Sequence, residues 1–177
     1  KYKVGFGKKR AREGQWLFTN RKIHEPQNPH VLDGFMAFAE YLGVPIDKPH
    51  WQLAIGEKER TEVVQYIDLT RKNLIISPCS SKPEKDWLVE RYAQVAEIAH
   101  QNNIQVILCG SPAKREMETV AQIMARCSFK PVDLSGKTNL KQLTALIGMV
   151  DLVISPDSGP AHLATTQGTP VIGLYVI

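Results

Sequence analysis

The sequence predicts an α/β fold, a Rossmann-like parallel sheet with helices on both faces. From Asn73 onward, five short apolar runs typical of buried strands alternate with four segments of helical periodicity. Consecutive strands joined through helices form right-handed crossovers, and the resulting parallel sheet is covered on both sides. We therefore expect a doubly wound domain in the second part of the chain.

The first seventy residues lack this regular alternation of strand and helix patterns. We predict that they form a passage leading into that domain. Residues 1–30 are polar and broken by glycine and proline, so they read mostly as loop. The elements predicted here are a strand at 15–19, a helix at 31–42 ended by Gly43, a strand at 51–55 and a helix at 57–66. We divide the chain into residues 1–70, an inter-domain passage with the start of a C-terminal domain, and residues 71–177, a Rossmann-like domain.

Strands and helices alternate along the second part of the chain. Strands are predicted at 73–78, 104–110, 131–136, 151–157 and 171–177, and helices at 86–103, 112–127, 139–150 and 159–168. Pro112 is expected in the first turn of its helix, where a missing N–H costs nothing. Asp157 and Ser158 are expected to cap the last helix, and Thr138 or Asn139 the one before it.

The net charge of +4 is unevenly distributed. Residues 1–22 alone carry +7, because eight lysines and arginines accompany the single acid Glu13. A basic segment on an acidic remainder predicts contact with an anionic surface or substrate, or else a solvated loop. Nucleic acid is not expected as a partner, since no reading helix or row of aromatic residues accompanies the basic residues.

The cysteines and the apolar runs argue against a disulfide-bonded, zinc-binding or membrane-spanning protein. Cys79, Cys109 and Cys127 are isolated and lack C-x-x-C spacing, which argues against a disulfide framework or zinc site and favours a reducing cytoplasm. No metal-ligand constellation is apparent. No apolar run approaches the ~20 residues that a membrane-spanning helix requires.

The segments that follow the predicted strands share a chemistry. They read "SPCSSKPEKDW", "CGSPAKRE", "LSGKTN" and "PDSGPAH"; all four contain serine and three contain lysine. In parallel sheets ligands bind at the carboxyl ends of strands. Helix N-termini with hydroxyl and lysine side chains suit phosphate oxygens, so a nucleotide-diphosphate pocket is the leading hypothesis.

Better-known phosphate and hydrolase motifs do not match. "GFGKKR" has Arg10 where the dinucleotide fingerprint needs its last glycine, and "SGKT" has Pro131 where a P-loop needs its first. Ser158 and His162 lack the G-x-S-x-G context of a hydrolase nucleophile.

Four ordered segments resemble a known family, the bacterial ADP-heptose:lipopolysaccharide heptosyltransferases of glycosyltransferase family 9. "DSGPAHLATTQGTPVIGLY" is similar to its D-[ST]-G-x-x-H signature, and "SSKPEKDW", "CGSPAKRE" and "DLSGKTNLKQLTALI" to its other donor-domain segments. The resemblance implies a GT-B enzyme that transfers heptose from ADP-heptose to the lipopolysaccharide inner core by inverting displacement. It also implies a cytoplasmic protein, with peripheral contact at the inner membrane, that uses neither metal nor cofactor.

This chain would then supply the donor-binding half, with the acceptor domain mostly absent and the catalytic base, an aspartate, lying in that domain. The resemblance assigns donor binding to nine positions: Ser80, Ser81, Lys85, Glu116, Thr138, Asp157, Ser158, Gly159 and His162.

The resemblance also gives each position a role. Ser80 and Ser81 bind the diphosphate through hydroxyl and N–H groups, and Lys85, with Lys82 as a rival, stabilises the leaving group. Three further roles follow: ribose hydroxyls for Glu116, the adenine edge for Thr138 and heptose hydroxyls for Asp157. The remaining three, Ser158, Gly159 and His162, surround the phosphates.

Two alternatives remain open. The chain belongs to a GT-B enzyme that uses another nucleotide sugar, or it is a nucleotide-binding module without catalysis.

Overall fold

The computed structural model describes residues 1–25, 27, 30–48, 50–51 and 53–175. The chain divides into two compact units, Lys1–His50 and Trp51–Ile177. The second unit thus begins about twenty residues before the division we drew between residues 70 and 71. The difference arises because residues 55–67 pack on the core of the second unit.

The described residues of the first unit form two short strands, a 3₁₀ turn and one α-helix. β1 (Val4–Gly5) pairs in parallel with β2 (Arg21–Lys22). α1 (Val31–Tyr41) is the helix predicted from residue 31. Gly43 follows it at a φ of 72°, which confirms the glycine stop.

The strand predicted at Gln15–Thr19 is wrong. Gln15–Leu17 form a 3₁₀ turn, and Gly14 precedes them at a φ of 72°. The N–H of Phe18 donates to the carbonyl of Gln15 at 3.0 Å, so the hydrogen bonds of this stretch are local. Such bonding leaves no ladder for a sheet partner.

Residues 51–66 precede the first strand of the second unit's sheet. The strand predicted at Trp51–Ile55 is also wrong: its described residues are irregular, and Ile55 packs on the core without joining the sheet. Gln52 lies outside the described residues. The helix predicted at 57–66 is confirmed as α2 (Glu57–Val63) and a following 3₁₀ turn (Val64–Tyr66).

A five-stranded parallel sheet organises the second unit. Its strands are β3 (Asn73–Ile76), β4 (Gln105–Leu108), β5 (Val132–Asp133), β6 (Leu152–Pro156) and β7 (Val171–Leu174). The spatial order is β5-β4-β3-β6-β7, and every neighbouring pair is parallel. Beginning at the central strand β3, the chain first builds outward through β4 and β5, then returns to place β6 on the other side.

Helices cover both faces of this sheet, which confirms the predicted fold class. They are α3 (Val89–Gln101), α4 (Lys114–Met124), α5 (Leu140–Ile147) and α6 (Gly159–Gln167). Ile75 points into a cluster with residues of α2, α5 and α6, whereas its neighbours Leu74 and Ile76 point into a cluster with α3 and α4. This alternation is the period of two expected for a strand buried on both faces.

Two helices begin later than predicted. α3 begins at Val89 and not near Asp86, whose carboxylate instead accepts a hydrogen bond from the N–H of Ser80. α4 begins at Lys114 with Ala113 as its N-cap, so the placement of Pro112 in the first turn is wrong.

Of the two residues expected to cap α5, Asn139 does so. Its side chain accepts from the N–H of Gln142 at 2.9 Å, and the Gln142 side chain accepts from the N–H of Asn139 at 2.9 Å.

Among the described residues no helix is long and apolar enough to cross a bilayer.

Truncation of Ile107 to alanine should destabilise the second unit. Ile107 is 0% exposed in β4, an interior strand of the sheet, and the cavity left behind should cost about 2 to 5 kcal/mol of unfolding free energy. Chemical denaturation followed by circular dichroism measures this loss. Ile98→Ala is the matched control, because Ile98 is 59% exposed on α3; an equal loss in both variants would contradict the described core.

Candidate functional site

The four serine-containing segments all follow strands of one parallel sheet, so they share its carboxyl edge. In spatial order they follow β5, β4, β3 and β6. β3 and β6 are neighbours, but the helices that follow them, α3 and α6, pack on opposite faces of the sheet. The chain therefore diverges there and opens a crevice, the place where open α/β sheets bind ligands.

A lysine and an aspartate from the two sides of this crevice meet. Lys85 ends a 3₁₀ turn (Pro83–Lys85) after β3, and its Nζ lies 3.0 Å from Oδ2 of Asp157, which follows β6. Their side chains are 34% and 38% exposed, so both remain accessible to a ligand. The hydrogen bond and the charge of Lys85 hold the pKa of Asp157 below its ordinary value.

His162 stands beside this pair on the first turns of α6. Its Nε2 lies 3.8 Å from Oδ1 of Asp157, and its side chain is largely exposed. The structure thus brings three of the predicted site residues together: Lys85, Asp157 and His162.

The start of α6 leaves its backbone open. Ser158 occupies the N-cap position, but the predicted side-chain cap is wrong: its hydroxyl lies 2.8 Å from that of Ser155, and Asp157 bonds Lys85. At Gly159 the space that a Cβ would fill has no heavy atom of the described residues within 4 Å. This helix N-terminus can therefore be approached closely by an anion.

The loop after β3 presents its serines unequally. Ser80 is buried; its hydroxyl donates to the carbonyl of Lys82 at 2.6 Å, and its N–H donates to Asp86 at 2.6 Å. Both groups expected to bind a diphosphate are therefore engaged inside the loop, and in this structure Ser80 shapes the loop. Ser81 is exposed. Lys82 is exposed as well, but Lys85 is the lysine that reaches Asp157.

Arg115 and Asp86 belong to this site and escaped the sequence reasoning. Arg115, in the first turn of α4, donates to the carboxylate of Asp86 and to the carbonyl of Ser80. Asp86 lies in the segment "SPCSSKPEKDW" and Arg115 in "CGSPAKRE", but both segments were selected for their serines and lysines. Their contact joins positions 29 residues apart, which spacing alone does not reveal.

Glu116 and Thr138 lie farther along the same edge. Glu116, after β4, accepts from the N–H of Ser111 at 2.7 Å. Thr138, after β5, is partly exposed and follows Gly136, whose φ is 69°. Gly136 donates to the carbonyl of Gly110 at 2.9 Å and ties these two junctions together. Glu116 and Thr138 thus follow β4 and β5 at the edge of the sheet that Lys85 shares.

The described cysteines and possible metal ligands form neither a disulfide nor a metal-binding group. All three cysteines are free, and complete burial raises the pKa of Cys109 to about 12. Among the residues that the structure describes, no group of three or more histidines, cysteines or acids is placed to hold a metal ion.

The family model of glycosyltransferase family 9 (heptosyltransferase) matches residues 1–176. The chain belongs to glycosyltransferase family 9. It is 69% identical over 175 residues to the lipopolysaccharide core heptosyltransferase OpsX of Haemophilus influenzae. This match covers 99% of this chain and 50% of the relative.

Solved structures of family 9 share its fold. A glycosyl transferase family 9 from Veillonella parvula is 26% identical, with a TM-score of 0.77 over 90% of this chain and 48% of that one. The Escherichia coli ADP-heptose lps heptosyltransferase II is also 26% identical, with a TM-score of 0.62 over 73% of this chain and 40% of that one. The chain spans about half the length of these relatives or less.

Replacing Lys85 should raise the pKa of Asp157. In Lys85→Gln the hydrogen bond and charge that favour the carboxylate are lost, so Asp157 should titrate nearer the ordinary value of about 3.9. Carboxyl carbon chemical shifts followed by NMR against pH measure this change.

Asp151 provides the internal control for that titration. Lys72 holds its pKa low at the opposite end of β6, and this lowering should persist in the variant. An unchanged titration of Asp157 would show that Lys85 does not pair with it in solution.

Proposed function

We propose that this chain is the donor-binding half of a heptosyltransferase that transfers heptose from ADP-heptose to the lipopolysaccharide inner core. The family membership supports the class of reaction, and the names of OpsX and of the Escherichia coli neighbour support the sugar, the donor and the acceptor. The chain's own geometry supports the nucleotide diphosphate.

The observation that carries the proposal is the linear order of functional groups along the sheet edge. Thr138 and Glu116 follow β5 and β4, whereas Lys85 and Asp157 follow β3 and β6. Since neighbouring strands lie about 4.8 Å apart, this row extends over roughly 14 Å, the scale of an extended nucleotide diphosphate. Adenine and ribose would lie at the β5–β4 end, and the phosphates at the crevice.

The groups at the crevice suit an inverting displacement. The oxygen of an acceptor hydroxyl attacks the anomeric carbon and passes its proton to a base. The bond from that carbon to the diphosphate oxygen breaks, and ADP leaves with the electron pair. Negative charge grows on the diphosphate, where Lys85 and the open N-terminus of α6 stabilise it.

Asp157 has two successive roles in this proposal. Before the donor arrives it pairs with Lys85 at 3.0 Å, which keeps the ammonium group in the crevice. When the diphosphate takes over Lys85, the carboxylate is released to accept hydrogen bonds from heptose hydroxyls. Ser81, Ser158, Gly159 and His162 are the further groups around the phosphates. We expect the reaction to need no metal or other cofactor, because these cationic and N–H groups supply the charge stabilisation.

Calorimetric titration of the chain with ADP tests the donor site. ADP should bind more tightly than UDP, and Lys85→Ala should weaken ADP binding by about ten- to a hundredfold, the loss of a charge-assisted hydrogen bond. Lys72→Ala removes a lysine paired at the opposite end of β6 and should leave binding unchanged. A folded chain that does not bind ADP, or that prefers UDP, would contradict the proposal.

The basic segment of the first unit supports a further part of the proposed function, peripheral contact with the inner membrane at its cytoplasmic face. Leu17, the last residue of the 3₁₀ turn, is 65% exposed, and Phe18, which follows it, is 72% exposed; both lie within a segment of net charge +7. The Nζ of Lys8 lies 4.5 Å from the ring centre of Trp16. Exposed apolar side chains among cations suit the surface of an anionic bilayer.

Vesicle sedimentation tests this contact. The chain should sediment with vesicles containing phosphatidylglycerol but not with phosphatidylcholine alone, and binding should fall as salt shortens the Debye length from ~10 Å at 0.1 M to ~3 Å at 1 M. Lys9→Glu should weaken binding more than Lys114→Glu, the same charge change on α4 of the second unit. Equal binding to both vesicle types would contradict the proposal.

A further inference from the structure

The loop that carries Lys85 has few anchors of its own. Residues 81–84 are exposed, and the 3₁₀ turn buries no side chain. Within the turn the N–H of Lys85 donates to the carbonyl of Lys82 at 2.9 Å. The N–H of Asp86 donates to the carbonyl of Pro83 at 3.0 Å. These bonds shape the turn locally, but they do not attach it to the sheet or to a helix.

Asp86 closes the loop on itself. Its side chain is 15% exposed, and its Oδ1 accepts from the N–H of Ser80 at 2.6 Å. This bond joins the first and last residues of the segment 80–86. A carboxylate in so covered a position needs a cationic partner, because an unpaired charge is costly to remove from water.

Arg115 is that partner, and it attaches the loop to α4. One terminal nitrogen donates to Oδ2 of Asp86, and the other donates to the carbonyl of Ser80. The planar guanidinium thus holds both ends of the segment in fixed relation, a geometry that a single ammonium group does not reproduce. Through these two contacts Arg115 orients the loop.

We propose that Arg115 is a positioning residue for phosphate recognition: through Asp86 and the carbonyl of Ser80 it fixes the loop from which Lys85 reaches the crevice. The inference rests on the proposed donor site. It predicts that Arg115 controls the part of nucleotide affinity that comes from the terminal phosphate, with Lys85 carrying out the contact.

The experiment compares ADP and AMP affinities by calorimetry in the wild-type chain and in Arg115→Gln. The glutamine variant should bind ADP about tenfold more weakly, the loss expected when a charge-assisted contact is misplaced, and AMP with little change. The ratio of ADP to AMP affinity should therefore fall. General damage to the fold would lower both affinities together, so an unchanged ratio would overturn the inference.

Three further variants complete the test. Arg115→Lys, which can satisfy only one acceptor at a time, should restore part of the ratio. Arg115→Gln combined with Asp86→Asn should be no worse than the single arginine variant, because the two residues act through one contact. Arg126→Gln removes an arginine paired with Glu90 at 3.2 Å on the surface and should leave the ratio unchanged.

Thermal unfolding of each variant confirms that the comparison is made on folded protein. Wild-type chain that fails to bind ADP would refute the donor site itself. Wild-type binding with an unaltered ratio in both Arg115 variants would refute the positioning role alone.

Discussion

The adjacency of β3 and β6 in a parallel sheet is the constraint on which the site depends. Both strands end at the same edge, but α3 and α6 pack on opposite faces, so the chain cannot close the gap between them. Polar side chains from two segments about seventy residues apart meet across this gap without distorting the backbone. The apolar alternation of the strands, which buries both faces, therefore also determines where Lys85 and Asp157 can meet.

The crevice is electrostatically balanced before a ligand arrives. Lys85 and Asp157 pair at 3.0 Å, and the hydrogen bond and charge of Lys85 lower the pKa of Asp157. A lysine held in this way loses less side-chain freedom when a phosphate replaces the carboxylate. Asp86, only 15% exposed, forms a second pair with Arg115 at the base of the loop. In the proposed function the two pairs have different duties: Lys85 exchanges Asp157 for the ligand, and Asp86 and Arg115 keep their geometry.

Most of the fold follows from the sequence, because strand and helix periodicities are local patterns. The five strands and four helices after residue 72 were predicted from such patterns, and so were α1 and α2. The errors occur where local pattern is weak. At 15–19 the hydrogen bonds close within a turn, and at 51–55 an apolar residue packs on the core from an irregular segment.

The candidate site was predictable only in part. The segments at strand ends were found because topology brings strand ends together. Within them the family resemblance singled out Lys85, Asp157 and His162, and these three do meet. The engagement of Ser80 and the failure of Ser158 to cap α6 depend on competing hydrogen-bond partners, which spacing does not reveal. Arg115 was missed for the same reason, since its partners come from a loop that precedes it by about thirty residues.

A crystal structure of the chain with ADP would test most directly the central claim, that a diphosphate replaces Asp157 as the partner of Lys85. The account predicts a terminal phosphate oxygen within hydrogen-bond distance of Lys85 Nζ, the base toward the β5 end of the edge, and Asp157 separated from Lys85. ADP bound elsewhere, with the 3.0 Å contact between Lys85 and Asp157 intact, would contradict it.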